Sequence, residues 1–179
     1  MVHPDIERVL FTAEEISARV QQVGAQISAD YAGREVTLIC VLKGSVFFLT
    51  DLARSLSVPM RLDFLAISPF PQRREPGVVA IHKDLDASIE GVDVLLVEDI
   101  IDTGLTLRYL LRTLETRSPK SLNVCTFLDK TPRRLIEVPV RYRCFEIPDR
   151  FVVGYGLDYR QLYRNLPYVG VVKPEIFRT

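Results

Sequence analysis

Residues 94–107 read V-L-L-V-E-D-I-I-D-T-G-L-T-L, and no other stretch limits the fold so tightly. Val94 to Val97 form an unbroken apolar run, the pattern of a strand buried on both faces in a parallel sheet. Three carboxylates follow, Glu98, Asp99 and Asp102, and then the small loop Thr103-Gly104-Leu105-Thr106. Leu107, Leu110, Leu111 and Leu114 recur at i, i+3, i+4 and i+7, the apolar stripe of a helix. The order is strand, acid cluster, hydroxyl-bearing loop, helix. In open α/β sheets ligands sit just beyond the carboxyl ends of such strands.

The loop has the makings of an anion site. Backbone N–H groups entering a helix N-terminus favour a phosphate dianion. Thr103 and Thr106 add hydroxyl donors, and Gly104 lets the backbone approach closely. The acids suit other partners, because carboxylates bind Mg2+ and accept hydrogen bonds from sugar hydroxyls. Together the parts fit a sugar phosphate with a divalent cation. No G-x-x-x-x-G-K-[ST] loop is present, so this is not a Walker A site. A lone D-T-G is usually a solvated turn after a core strand; two further acids on the same strand end set this one apart.

The V-E-D-I-I-D-T-G-x-T run resembles the phosphoribosyl-pyrophosphate motif of the type I phosphoribosyltransferases, and its V-E-D-I-I-D form is similar to the hypoxanthine-guanine branch in particular. The resemblance implies an α/β fold: a central, mostly parallel twisted sheet flanked by helices, with a small hood formed by the termini and a flexible lid hairpin.

Length and composition agree with one domain over residues 1–179, enough to bury roughly 70% of the unfolded surface. Net charge is zero, with 23 basic and 23 acidic side chains, which argues against nucleic acid and anionic membranes as partners. The apolar runs are too short to span a bilayer, and residues 1–5 show no signal peptide. Cys40, Cys125 and Cys144 lie in apolar runs with no zinc spacing, as buried thiols of a reducing compartment do; the expected location is the cytoplasm.

Elsewhere the chain offers further parts of such a site. Thr12-x-x-Glu15 is a capping box for a helix over residues 12–30, whose face is Ile16, Val20, Val23 and Ile27. Residues 36–42 read as a buried strand leading into Lys43-Gly44-Ser45 and a second helix. That turn fits an anion as well as it fits an ordinary βα connection. Residues 60–67 read as a strand, and 68–77, with three prolines and three charges, as a long exposed loop of the kind that often forms a lid. Val78 to His82 reads as the returning strand, with His82 an ordinary member of it. Strands are also expected over 122–128 and 138–145, and aromatics crowd the region from Phe151 to Tyr168.

The resemblance gives these parts roles. L-K-G is similar to the family's pyrophosphate loop, whose Leu-Lys peptide is typically cis, so Lys43 and Gly44, with Arg164, are assigned to pyrophosphate. Lys130 in L-D-K-T-P matches the lysine at the purine 6-oxo group. In P-D-x-F-V-V-G-Y-x-L-D-Y, Phe151 matches the stacking aromatic, Val152 the residue whose backbone meets the base edge, and Asp158 both a purine-binding residue, whose main chain with that near Val152 senses position 2, and an acid that helps hold a second Mg2+ through water. Residues 103–106 are assigned to the 5′-phosphate, and Glu98 and Asp99 to the ribose hydroxyls and Mg2+. Asp102 matches the residue at purine N7, a general base or hydrogen-bond acceptor. The lid departs from the family, because Pro69-Phe70 stands where a Ser-Tyr pair is usual.

The activity implied is Mg2+-dependent transfer of 5-phosphoribose from 5-phospho-α-D-ribosyl 1-diphosphate to N9 of hypoxanthine or guanine, by a homodimer or homotetramer. Two rivals stand beside it: a phosphoribosyltransferase for xanthine or a pyrimidine, and a non-enzymatic, nucleotide-responsive regulator on the same fold.

Overall fold

The computed structural model describes residues 2–69 and 79–177. Among the described residues, nine strands and four helices run in the order β1 (Ile6–Phe11), α1 (Ala13–Asp30), β2 (Val36–Leu42), α2 (Ser45–Ser55), β3 (Met60–Pro69), β4 (Val79–Lys83), β5 (Asp93–Ile101), α3 (Leu105–Glu115), β6 (Ser121–Asp129), β7 (Tyr142–Glu146), β8 (Val152–Val153), β9 (Val169–Val172) and α4 (Pro174–Phe177). A 3₁₀ turn, Thr131–Arg133, follows β6.

The main sheet has the order β4-β3-β2-β5-β6-β7. All its pairings are parallel except β3 with β4. Alternation along the central strands sends side chains to two cores. Leu38 and Cys40 of β2 and Leu95 and Val97 of β5 join the buried faces of α1 and α2. Ile39 and Val41, with Val94 and Leu96, meet Leu107, Leu110, Leu111 and Leu114 of α3 on the other side. Each leucine buried this way contributes roughly 2 kcal/mol. The chain passes from β2 to β3 on one side of the sheet and returns to β5 on the other. The crevice at this switch point lies at the carboxyl ends of β2 and β5, where the Lys43 loop and the acid cluster sit.

A second, antiparallel sheet, β1-β9-β8, joins the two ends of the chain into the expected hood. Its first strand, β1, has no counterpart among the sequence expectations. Ile6 alone of its residues is fully buried, so the alternation that marks a strand is weak. The Thr12 capping box forms as expected, with the hydroxyl accepting from Glu15 N–H and the Glu15 carboxylate accepting from Thr12 N–H.

Two boundaries need correction. The strand expected over 138–145 begins only at Tyr142, since Pro139 lacks the N–H a ladder needs and pairing with β6 starts at Cys125 opposite Tyr142. The strand expected to end at Ile67 runs on through Ser68 and Pro69, because both pair with Ala80 and Val79 of β4. His82 is a strand residue as expected, and its ring hydrogen-bonds the Ser68 hydroxyl. The remainder of the expected lid, residues 70–77 with Phe70 among them, lies outside the described residues.

Candidate active site

β5 carries its three acids to the crevice, and each finds a different setting. Glu98 is buried; its Oε2 accepts from the Ser45 hydroxyl at 3.2 Å and from Asp99 N–H at 3.3 Å. Asp99 lies against the Lys43-Gly44 loop: a Cβ placed on Gly44 would come within 1.6 Å of its Oδ2. Burial and the Asp99 charge push the Glu98 carboxyl well above its ordinary range. Burial likewise raises Asp99; backbone hydrogen bonds and Arg164 oppose the rise, and Asp158 adds to it. Asp102 is more open, and its Oδ1 lies 3.1 Å from Arg133 Nε.

Gly104 follows in the left-handed region (φ 84°) as the cap of α3, a conformation that favours glycine. A Cβ there would come within 2.7 Å of the Ile136 carbonyl oxygen. The same segment clamps the loop, since the N–H groups of Leu135 and Ile136 donate to the Thr103 carbonyl at 3.0 and 3.3 Å. A recess of about 180 Å³ is lined by Glu98, Asp102, Thr103, Gly104 and Thr106. The first N–H groups of a helix have no partner within it, so the recess is suited to an anion.

A larger cleft, about 660 Å³, opens on the other side of Asp102. Asp99, Lys130, Phe151, Val152 and Asp158 line it, so residues from β5, the turn after β6 and the hood meet in one place. The Phe151 ring is stacked on Phe177 (centroids 5.0 Å apart) and meets the edge of Tyr159. Lys130 is buried, with its ammonium 3.7 Å from Asp149. Arg164 pairs with Asp158 at 2.8 Å and donates to the Gly156 carbonyl. Gly156 in turn packs on Gly44, whose carbonyl oxygen would lie 2.1 Å from a Cβ at Gly156. The L-K-G loop is therefore held against the hood, and its Leu42–Lys43 peptide is cis. Lys43 itself is exposed and is not among the residues lining the cleft.

The residues brought together fit a hard divalent cation. Mg2+ is held by one or two carboxylates together with water and substrate phosphate oxygens rather than by an all-protein cage. Asp99 and Asp158 are near enough for the Asp158 charge to add to the rise in the Asp99 pKa, with the Arg164 guanidinium opposing it. Among the described residues no cluster of three or more His, Cys, Asp or Glu is gathered to hold a metal. Glu98 is turned to Ser45.

Arg133 and Asp149 line the cleft without having been singled out in the sequence. In T-P-R-R and I-P-D-R they look like solvated loop charges; only their closeness to Lys130 and Asp102 could have drawn notice. The three cysteines are buried, and burial pushes the thiols of Cys40 and Cys144 up to about 12, so none is a nucleophile here.

Comparison with known proteins gives a consistent result. Residues 10–160 match the phosphoribosyl transferase domain family. A hypoxanthine-guanine phosphoribosyltransferase of Mycobacterium avium is 48% identical over 97% of this chain and 89% of its own length. A hypoxanthine phosphoribosyltransferase structure from Staphylococcus aureus superposes with a TM-score of 0.94 at 44% identity, covering 98% of this chain and 96% of that one. The Trypanosoma cruzi hypoxanthine phosphoribosyltransferase, solved with its product IMP, gives 0.95 at 41% identity, covering 99% of this chain and 100% of that one.

Proposed function

The chain belongs to the phosphoribosyltransferase family, and we infer that it serves purine salvage, transferring 5-phosphoribose from 5-phospho-α-D-ribosyl 1-diphosphate to N9 of hypoxanthine or guanine. The products are the nucleoside 5′-monophosphate and pyrophosphate. The observation that carries the reading is the position of Asp102, which lines both the phosphate recess and the cleft holding Lys130 and Phe151. A group shared by the two cavities is placed where a base would meet a ribose.

Thr103 to Thr106 hold the 5′-phosphate through backbone N–H groups and hydroxyls. Phe151 stacks on the flat base, and Lys130, a donor only, selects an acceptor at position 6. Val152 meets the base edge through its backbone. Asp102 accepts the hydrogen bond or proton at N7, while Glu98 and Asp99 engage the ribose side. Lys43, Gly44 and Arg164 receive the departing pyrophosphate and offset its charge. Asp99 and Asp158, together with Glu98, would hold Mg2+, which when bound would supply further positive charge against the diphosphate. A rival with a pyrimidine base is disfavoured by the relatives' names, hypoxanthine-guanine and hypoxanthine phosphoribosyltransferase.

Buried thiols fit a cytoplasmic protein, and no helix among the described residues is long and apolar enough to cross a membrane. A homodimer or homotetramer is the assembly that accompanies this reading; sedimentation would measure it. The decisive experiment incubates the protein with the diphosphate donor, Mg2+ and each purine in turn while following nucleotide formation. IMP and GMP are expected; no nucleotide from any 6-oxopurine would overturn the enzyme.

A further inference from the structure

Four charged side chains alternate along one wall of the cleft. Lys130 Nζ faces Asp149 Oδ1 at 3.7 Å, Asp149 Oδ2 faces Arg133 Nη1 at 3.8 Å, and Arg133 Nε faces Asp102 Oδ1 at 3.1 Å. Asp149 gives one oxygen to each cation, and Arg133 gives a different nitrogen to each anion. The two end members are the groups assigned above to positions 6 and 7 of the purine, so the inference rests on that reading. The two middle members have no role in it.

We propose that the Arg133–Asp149 pair is a positioning device that holds Lys130 and Asp102 apart, each at its own station, and so sets the preference for 6-oxo over 6-amino purines. The physical argument starts from what the pair prevents. Lys130 is buried and Asp102 Oδ1 is buried without a well-aligned hydrogen bond, although the rest of the Asp102 side chain is open. Opposite charges lining one cleft attract, and a direct Lys130–Asp102 contact would fill the space meant for the base edge. With Asp149 and Arg133 between them, each end group already has a counter-charge. The four charges also sum to zero, which suits a neutral purine at this end of the site. An arginine fits the inner position because its planar fork reaches two anions at once, which a lysine point charge does not.

Arg133 and Asp149 are each about half exposed, 49% and 53% by side chain. Exposed ion pairs contribute little to stability, so their removal leaves a folded protein whose kinetics can be read. Initial rates are measured for wild type, Arg133→Gln, Asp149→Asn and Asp149→Glu with hypoxanthine, guanine and adenine, each against donor concentration. The two charge-removing variants are expected to raise KM for hypoxanthine about tenfold and to lower the hypoxanthine-to-adenine ratio of kcat/KM, with KM for the donor unchanged. Asp149→Glu recovers most of both. A base KM and an adenine ratio at wild-type values in both charge-removing variants, or an equal rise in KM for base and donor, would overturn the device while leaving the enzyme intact. A wild type inactive with every 6-oxopurine rejects the enzyme reading, and the device with it.

Discussion

Asp102 and Asp99 are three residues apart on one strand end, and their surroundings give them different work. Asp102 borders both cavities and faces a guanidinium. Its replacement by Asn keeps the shape and removes the carboxylate proposed to act at N7; kcat is expected to fall about 100-fold while KM for the donor moves little, as steady-state rates would show. Asp99 is a half-buried carboxylate whose folded-state pKa is pushed up to about 6. An acid with a raised folded pKa contributes stability at low pH, and that contribution is lost as pH rises from its unfolded value near 4 through about 6. Asp99→Asn removes the loss. Without Mg2+ or donor, its melting temperature is expected to exceed that of wild type at pH 8 and to match or fall below it at pH 4, the gap at pH 8 being on the order of 5 °C. Equal melting curves at both pH values would show that Asp99 is not destabilised by its burial. The presence of three acids is legible in V-E-D-I-I-D. Their division of labour is not, because the partners that separate them, Ser45 and Arg133, lie far along the chain.

The β5–loop–α3 element is where local sequence and tertiary contact agree best. Its buried run and its leucine stripe both appear where periodicity placed them. Gly104 has two independent reasons to be glycine: a positive φ and the Ile136 carbonyl pressing on the space of a side chain. The first reason follows from its place at a loop-to-helix junction; the second depends on residues 134–136 folding back over Thr103, which no spacing reveals. Gly104→Ala is expected to lower stability by about 2 kcal/mol and to raise KM for the donor at least tenfold, with KM for the base little changed. Denaturant melts and initial rates with each substrate varied would check both. The capping box on α1 is the opposite case, local enough to be read outright. Thr12→Ala is expected to cost about 1 kcal/mol with no change in kinetics, since α1 lies behind the sheet away from the cleft.

At the scale of the whole molecule, the site is a seam between two sheets. The main sheet brings the acids and the Thr103–Thr106 loop; the hood brings Phe151, Val152 and Asp158. The first is built from long periodic elements and was legible apart from the end of β3 and the start of β7. The second is built from short strands at the two ends of the chain, and β1 escaped notice because pairing with β9, not burial, makes it a strand. This division predicts that the two substrates can be uncoupled by a change remote from both. Gly170 of β9 pairs with Val9 on one side and Val153 on the other, and a Cβ on it would meet Ile6 Cγ2 at 2.7 Å. Ile6 is β-branched and buried, so it cannot swing aside without moving β1. Gly170→Val therefore shifts the hood while leaving β5 and its loop in place. Val171 and Val172, the next residues of β9, line the cleft, so KM for hypoxanthine is expected to rise about tenfold or more. Affinity for the diphosphate donor, measured by calorimetry with Mg2+, should fall less than affinity for the base, because the 5′-phosphate is assigned to residues 103–106 beside β5 and only the share assigned to Arg164 and Asp158 is exposed to the shift. If donor and base affinity fall together, the hood and the main sheet act as one rigid unit and the seam is not a division of function.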